Sequence, residues 1–412
     1  MILFCEECGT RHDIEQDRIR GNNFQFACHT CNETLVVSLV DKTKGKKVQA
    51  AMESEQNGNG SACGLDPLKV LVVDDSKMIR RVICDIINSD CDKTVVGEAQ
   101  DGKEALELLK KTNPDVITLD INMPVMDGLT ALKHIMIGNP TPTVMISALT
   151  QEGALETFDS LKYGAIDFLP KPSKVKGGDL KSQQDEILRK IELAAGVQIE
   201  SVRYLRRPAM DKSHGPAKGH ACQCALVLGA AEGGYGALLN VIPRLQTDLP
   251  VAYVAVMHQA PQHIDAFARY LNQCSHLTVN RAKKGTILKG GNCYLVASTE
   301  NMGVYKHKDT LKFKIEKPLP EGCGAIDRLM SSMAAAMTDR AGGVVLTGTG
   351  KDGLKGLGDI IKLGGAAFVQ DPRSCLFKET PKAALDAYPV KYMVSDKQMA
   401  GAINAYVNSF TR

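Results

Sequence analysis

The chain has 412 residues, with 50 lysines and arginines against 47 aspartates and glutamates, a net charge of +3. That length implies two to three domains at roughly 150 residues each, and the near balance of charge supplies no field to recruit nucleic acid or an anionic membrane surface. No apolar run approaches the ~20 residues that span a bilayer, and the opening MILFCEECG has two carboxylates where a secretory leader would be apolar, so a cytoplasmic protein without membrane insertion is expected.

The first 40 residues carry Cys5-x-x-Cys8 and Cys28-x-x-Cys31, two short knuckles separated by 19 residues. In a reducing compartment that spacing reads as tetrahedral Zn²⁺ on four thiolates, in preference to reduced, unliganded cysteines or a redox pair. A unit this short needs such a staple to fold. With FQFACHTCNETLVV read as strands, the segment resembles the small zinc ribbons found at the start of bacterial regulatory proteins. His12 and His29 are spare donors beside an already closed Cys₄ set. The other nine cysteines are scattered singly and read as small apolar residues.

Residues 41–67 are rich in Lys, Gly, Asn and Gln and read as a flexible linker. From 68 to 197 short apolar runs alternate with amphipathic segments: KVLVVD then a helix from Ser76, TVVGEA then a helix from Gly102, DVITLD then a helix from Gly128, then TVMIS and AIDFL, each with a helix behind it. Five strands alternating with five helices predict a doubly wound parallel α/β sheet of the flavodoxin-like kind, with its chemistry at the carboxyl ends of the strands. There lie Asp74 and Asp75 after the first strand, Asp120 at the end of the third, Ser147 at the end of the fourth and Lys171-Pro172 after the fifth. Three carboxylates in one pocket repel one another unless a hard divalent cation such as Mg²⁺ sits among their oxygens. One of them can then attack a phosphoryl group whose charge the cation, the Lys171 ammonium and the Ser147 hydroxyl stabilise. A lone Asp-Asp or Lys-Pro means only a turn with solvated charges. It is the set of positions, in this order at strand ends, that carries the reading.

VVDDS, LDINMPVMDGL, MISALT and DFLPKP together resemble the signature segments of response-regulator receiver domains. The resemblance implies that Asp120 accepts phosphate from a CheA-type histidine kinase. It also implies that Asp74, Asp75, Asp120 and the Asn122 backbone carbonyl hold Mg²⁺, and that Ser147, Phe168 and Lys171 form the switch.

A second linker, 198–221, contains Arg203-Tyr204-Leu205-Arg206-Arg207, read as a solvated hinge with docking on the receiver's acidic site as the alternative. The remaining 222–412 repeats the α/β theme with ALVLGA, PVAYVAV, GVVLTG and AAFVQ, and 277–315 reads as short antiparallel strands inserted into it. LGAAEGGYGAL, VAVMHQAP, AFARYLN, CYLVAS, VVLTGTGKDGLKG and SCLFKETPKAAL resemble the effector domain of CheB-type chemotaxis response regulators. Those proteins hydrolyse glutamyl methyl esters on chemoreceptors and deamidate receptor glutamines.

Such hydrolysis needs a serine on a tight strand-to-helix turn, a histidine to take its proton and an aspartate to orient the histidine. The resemblance places the last two on His258 and Asp352, but the family's GASTGG turn reads Gly229-Ala230-Ala231-Glu232-Gly233-Gly234, so the nucleophile position holds Ala231. Glu232 replaces a threonine and puts an anion where negative charge would develop. Thr349 and Lys351 replace the methionine and asparagine of TGMGND, Gln259-Ala260 stands for Met-Pro, and Glu379-Thr380-Pro381 for GMP.

The expectation is therefore a pseudoenzyme: a CheB-like regulator whose phosphorylation at Asp120 controls an effector that binds a chemoreceptor or another signalling protein. The rival is a working protein-glutamate methylesterase that uses Ser298, Cys375, or water activated by His258 or Glu232. A DNA-binding regulator would need a basic recognition helix after the receiver, where the resemblance implies an esterase fold instead.

Overall fold

The computed structural model describes residues 66–147, 154–172, 180–197, 199, 220–259, 261–317 and 324–411, together with the backbone of 2–4, 11–13, 23–27 and 34–38. By contacts the chain divides into two compact units, 1–143 with 172–195, and 144–171 with 196–412.

The N-terminal strands form two antiparallel hairpins, β1 (Ile2–Phe4) with β2 (Arg11–Asp13) and β3 (Asn23–Ala27) with β4 (Thr34–Ser38). Cys5 and Cys8 fall in sequence between the first pair, Cys28 and Cys31 between the second, and all four lie outside the described residues. So do His29, residues 41–65, and the Arg203–Arg207 run.

The expected alternation follows: β5 (Leu68–Val73), α1 (Lys77–Asn88), β6 (Lys93–Ala99), α2 (Gly102–Thr112), β7 (Val116–Asp120), α3 (Gly128–Gly138), β8 (Thr143–Ser147), α4 (Ala154–Lys162), β9 (Asp167–Pro170) and α5 (Leu180–Ala195). The strands form a sheet of order β6-β5-β7-β8-β9, the doubly wound order with the first strand inside. Local chemistry starts the helices where the sequence suggested. The hydroxyl of Ser76, and the carboxylates of Asp101 and Asp127, accept from backbone N–H groups of the first turns of α1, α2 and α3, the usual N-cap role. Gly128 is obligatory at its site, because a Cβ there would lie 1.9 Å from the Asp120 carbonyl oxygen. The start of α3 is thus pressed onto the end of the strand that carries Asp120.

In the C-terminal region the order is β10 (His220–Ala221), β11 (Cys224–Ala230), α6 (Gly234–Val241), β12 (Val251–Met257), α7 (Pro261–Cys274), β13 (Thr278–Arg281), β14 (Lys289–Gly290), β15 (Asn292–Ala297), β16 (Met302–His307), β17 (Thr310–Ile315), α8 (Ala325–Met337), β18 (Ala341–Val345), α9 (Leu354–Lys362), β19 (Ala366–Gln370), α10 (Glu379–Ala387), β20 (Tyr392–Val394) and α11 (Asp396–Thr411). Among the described residues, the main sheet has order β13-β15-β12-β11-β18-β19-β20 with every pair parallel. Its central strands are buried on both faces and read as unbroken apolar runs, as strands covered by helices on both sides must. The expectation for 277–315 needs correction. Only β16 and β17 make an antiparallel hairpin of their own, whereas β13 and β15 are parallel members of the main sheet.

Candidate functional site

At the end of β5, Asp74 is fully buried and one of its oxygens accepts from the Ser76 N–H at 2.8 Å, which fixes the carboxylate at the strand end. One oxygen from each of Asp74, Asp75 and Asp120 lies within 4.8 Å of the others. At an effective dielectric of about 20, each such pair of ionised carboxylates repels by about 3.5 kcal/mol. An all-oxygen donor set under that repulsion suits a hard divalent cation. Asn122 is exposed beside it in the loop after β7.

The other three predicted receiver residues lie in the second compact unit. Ser147 is buried at the last position of β8, and its Oγ accepts from Thr157 Oγ1 at 3.0 Å. Phe168 is buried in β9, its ring 5.7 Å from Phe158 and 5.0 Å from Tyr235 in the first turn of α6. The Lys171 N–H donates to the Ser147 carbonyl at 3.0 Å, just beyond the end of β9. Thr157 and Tyr235 were invisible to sequence reasoning, since only the fold brings them to the switch residues.

In the effector sheet, register fixes which residues leave the strands together. Ala230 pairs with Met257 and Met257 with Ala297. The next residues, Ala231, His258 and Ser298, therefore depart from one end of three adjacent strands. Adjacent strands lie roughly 4.8 Å apart, so the sheet delivers the three to one neighbourhood. The turn at Ala231 is as tight as a nucleophile turn must be. Gly233 starts α6 at φ +72°, and a Cβ on Gly234 would stand 2.8 Å from that of Ala230.

His258 Nε2 and Asp352 Oδ2 are 2.8 Å apart. Asp352 also accepts from the N–H groups of Ile326 at 3.2 Å and Asp327 at 2.9 Å, so it caps α8, whose own N-cap position is Gly324 and has no side chain to do so. A Cβ on Gly324 would collide with that carboxylate at 1.7 Å. Burial by itself would raise the Asp352 carboxyl, but the His258 contact and the two amides outweigh it and hold the group below the usual carboxylate range. The histidine and aspartate of the expected triad are thus assembled, and Asp352 has a second, structural task that the sequence did not disclose.

Beside them the two departures from the family's motif meet. Glu232 Oε2 accepts from the Thr349 N–H at 3.1 Å and from Thr349 Oγ1 at 2.8 Å. The anion that follows Ala231 is thus hydrogen-bonded, with its charge retained, by a hydroxyl and an amide of the loop after β18. Gly348, between them, is packed against Ala231: a Cβ on it would come within 2.7 Å of the Ala231 Cβ. Cys375 is a poor substitute nucleophile. Burial first, and then the charges of Asp371, Asp396 and Glu379, push its thiol well above the ordinary range, and its Sγ points at the Asp371 carbonyl 3.4 Å away. The thiolate that would react is the form this setting disfavours. Ser298 begins a short 3₁₀ turn and is half-buried.

Among the described residues, no helix is long and apolar enough to cross a membrane. The family model "CheB methylesterase" matches residues 226–403, and "Response regulator receiver domain" matches 70–179. The chain is 39% identical over 331 residues to a protein-glutamate methylesterase/protein-glutamine glutaminase of Pyrococcus horikoshii, covering 79% of this chain and 90% of that protein. It is 34% identical over 349 residues to a second protein of that description from a Shewanella species, covering 84% of this chain and 99% of the relative. Among solved structures, the response regulator domain of Thermotoga maritima CheB is 46% identical, covering 32% of this chain and 98% of that domain, with a TM-score of 0.30.

Proposed function

Because the chain belongs to the CheB family, a response-regulator receiver joined to a methylesterase domain, we propose that it is a phosphorylation-controlled regulator of chemotaxis-type signalling whose effector domain binds partners without hydrolysing esters. The observation that carries this reading is the alanine at the head of the strand-to-helix turn. Its methyl group stands at the position the family gives to a serine, while His258 and Asp352 keep their places. Without the serine no covalent acyl intermediate can form there, and loss of a triad nucleophile leaves only roughly 10³–10⁴-fold acceleration over water from binding and the oxyanion hole. Glu232, which is tied to Thr349, adds a negative charge at the turn and so works against an oxyanion as well.

Asp120 is the phosphate acceptor in this proposal. Asp74, Asp75, Asp120 and the Asn122 carbonyl hold Mg²⁺, which when bound screens the carboxylates and the incoming phosphoryl oxygens. Lys171 adds its charge to the phosphoryl group, and Ser147 donates its hydroxyl. A pull on Ser147 competes with its bond to Thr157 in α4, and Phe168 touches Tyr235 of α6, so the same residues that read the phosphate border the helix behind the Ala231 turn. A CheA-type histidine kinase is the phosphodonor, and a chemoreceptor or another signalling protein is the partner. The N-terminal hairpins frame two CxxC pairs at zinc-knuckle positions, which supports a Cys₄ Zn²⁺ ribbon of Cys5, Cys8, Cys28 and Cys31.

One observation favours a second reading. Ser298 leaves the sheet beside His258, so a hydrolase that uses this serine has a candidate geometry. The test is methanol release from methylated receptor by the phosphorylated full chain, beside Ser298→Ala and an Ala231→Ser, Glu232→Thr variant. No release by the native chain supports the binding role. Release that disappears in Ser298→Ala replaces it with the second reading.

A further inference from the structure

Away from the triad, the β16–β17 hairpin, α8 and α9 line an open pocket of about 570 Å³, inside the range of small-molecule sites. Its floor is one face of α8, with Arg328, Ser331, Ser332, Ala335 and Ala336 at helical spacing. Lys306, Lys314 and Lys355 join Arg328 around it, against two carboxylates, Glu316 and Asp327. The nearer carboxylate to the arginine is that of Glu316, in a long ion pair without a hydrogen bond. Asp327 turns its oxygen to the Gly353 and Gly356 N–H groups at 3.0 and 2.7 Å. Glu316 ion-pairs with Lys314 at 2.8 Å and lies 3.7 Å from Arg328 Nε, beyond hydrogen-bond reach.

The Arg328 side chain is only 5% exposed, its Nε has no hydrogen-bond acceptor among the described residues, and its nearest acceptors elsewhere are two Asn301 oxygens at 3.4 Å. A buried guanidinium with such thin compensation is costly in isolation. Lys306 makes no ion pair among the described residues, and Lys355 has only a long contact to Asp359 at 3.6 Å. The lining is therefore short of anions. Tyr305, partly exposed at the rim, and the Ala335–Ala336 floor offer a flat apolar surface next to that charge.

We propose that this pocket binds an organic phosphate of about nucleotide size, with Arg328, Lys306 and Lys355 on its phosphate oxygens and Tyr305 against its flat body. A guanidinium and several ammonium groups match a multiply charged tetrahedral anion better than a single carboxylate. The bounded volume and the small residues of the α8 face suit a compact ligand better than an extended acidic peptide. The ligand's seat is α8, the helix whose first amides hold Asp352, so the site stands next to the triad remnant without containing any of it.

Calorimetric titration of the full chain with ADP tests this, with adenosine, inorganic phosphate and a poly-glutamate peptide as separate probes. One ADP per chain is expected, with adenosine and phosphate each at least about tenfold weaker. Lys306→Gln and Lys355→Gln, whose side chains are exposed, should each weaken ADP about tenfold, the worth of one charge-assisted contact, with melting temperature little changed. Arg328→Lys should weaken it further, because the ammonium keeps the charge and loses the planar fork. No heat with millimolar ADP, ADP binding unaffected by both lysine variants, phosphate binding as tightly as ADP, or preference for the peptide would each overturn the proposal.

Discussion

The contact between Glu232 and Thr349 predicts that two substitutions in separate loops act as one. Replacing Thr349 with Val keeps the shape and removes the hydroxyl that donates to Glu232 at 2.8 Å, while the backbone N–H at 3.1 Å remains. A hydrogen bond to a charged group contributes roughly 1.5–3 kcal/mol, and both side chains are half-buried, which sets the loss near the lower figure, about 1.5 kcal/mol. For an effector domain of this size that is about 3–6 °C in Tm. In a Glu232→Thr background the same Thr349→Val change has no carboxylate to orphan and should cost under about 0.5 kcal/mol. The coupling is therefore about 1 kcal/mol, well above the additivity expected of independent sites. Urea unfolding of the full chain, followed by circular dichroism for the native protein, both single variants and the double variant, measures it, and contributions from the receiver cancel around the cycle. Additive costs, or a native-like Thr349→Val, would refute the idea that the loop after β18 has been refitted to the anion.

Asp352 should behave as a helix cap as well as a histidine partner: Asp352→Ala removes the acceptor of two α8 amides and should cost about 1–2 kcal/mol in a thermal melt. Its carboxyl is held low, so its contribution is complete above the unfolded value of about 3.9 and is lost as pH falls through the lower folded value. The native acid-unfolding curve should accordingly steepen below about pH 4, and Asp352→Asn should flatten it. In the receiver, Asp120→Asn should abolish Mg²⁺-dependent phosphoryl uptake, measured by incorporation of labelled phosphate, and Asp74→Ala should remove its Mg²⁺ dependence. About one zinc per chain is expected by metal analysis, with Cys28→Ser releasing it and exposing residues 23–38 to protease.

How far the sequence was readable depended on whether the information was local. Ser76, Asp101 and Asp127 each cap a helix through the two or three residues that follow, and those starts were predictable because nothing distant enters them. The 277–315 region was misread because strand direction is not a local property, yet a clue was present. CYLVA is an unbroken apolar run, which belongs to an interior parallel strand, whereas TLKFK alternates as a one-sided hairpin strand does. Run length and alternation, weighed separately, would have divided the region at Ala297.

The site divides in the same way. Asp74, Asp75 and Asp120 could be singled out because each closes or follows a strand, and strand ends are visible in a sequence, whereas His258 and Asp352 were assigned by the family resemblance alone. Much of what surrounds the site was not visible, because these partners come from other elements: Thr157 on Ser147, Tyr235 on Phe168, the α8 amides on Asp352, Thr349 on Glu232. The last pair matters most for function. Read singly, Glu232 is an unfavourable charge and Thr349 an unremarkable polar residue. Read together, they form a satisfied contact directly beside the missing nucleophile. A turn that had merely decayed would leave a half-buried carboxylate without donors, at a cost of about 1–3 kcal/mol, whereas here two donors meet one oxygen. That matched replacement keeps the turn in order, as the proposed binding role would require of it.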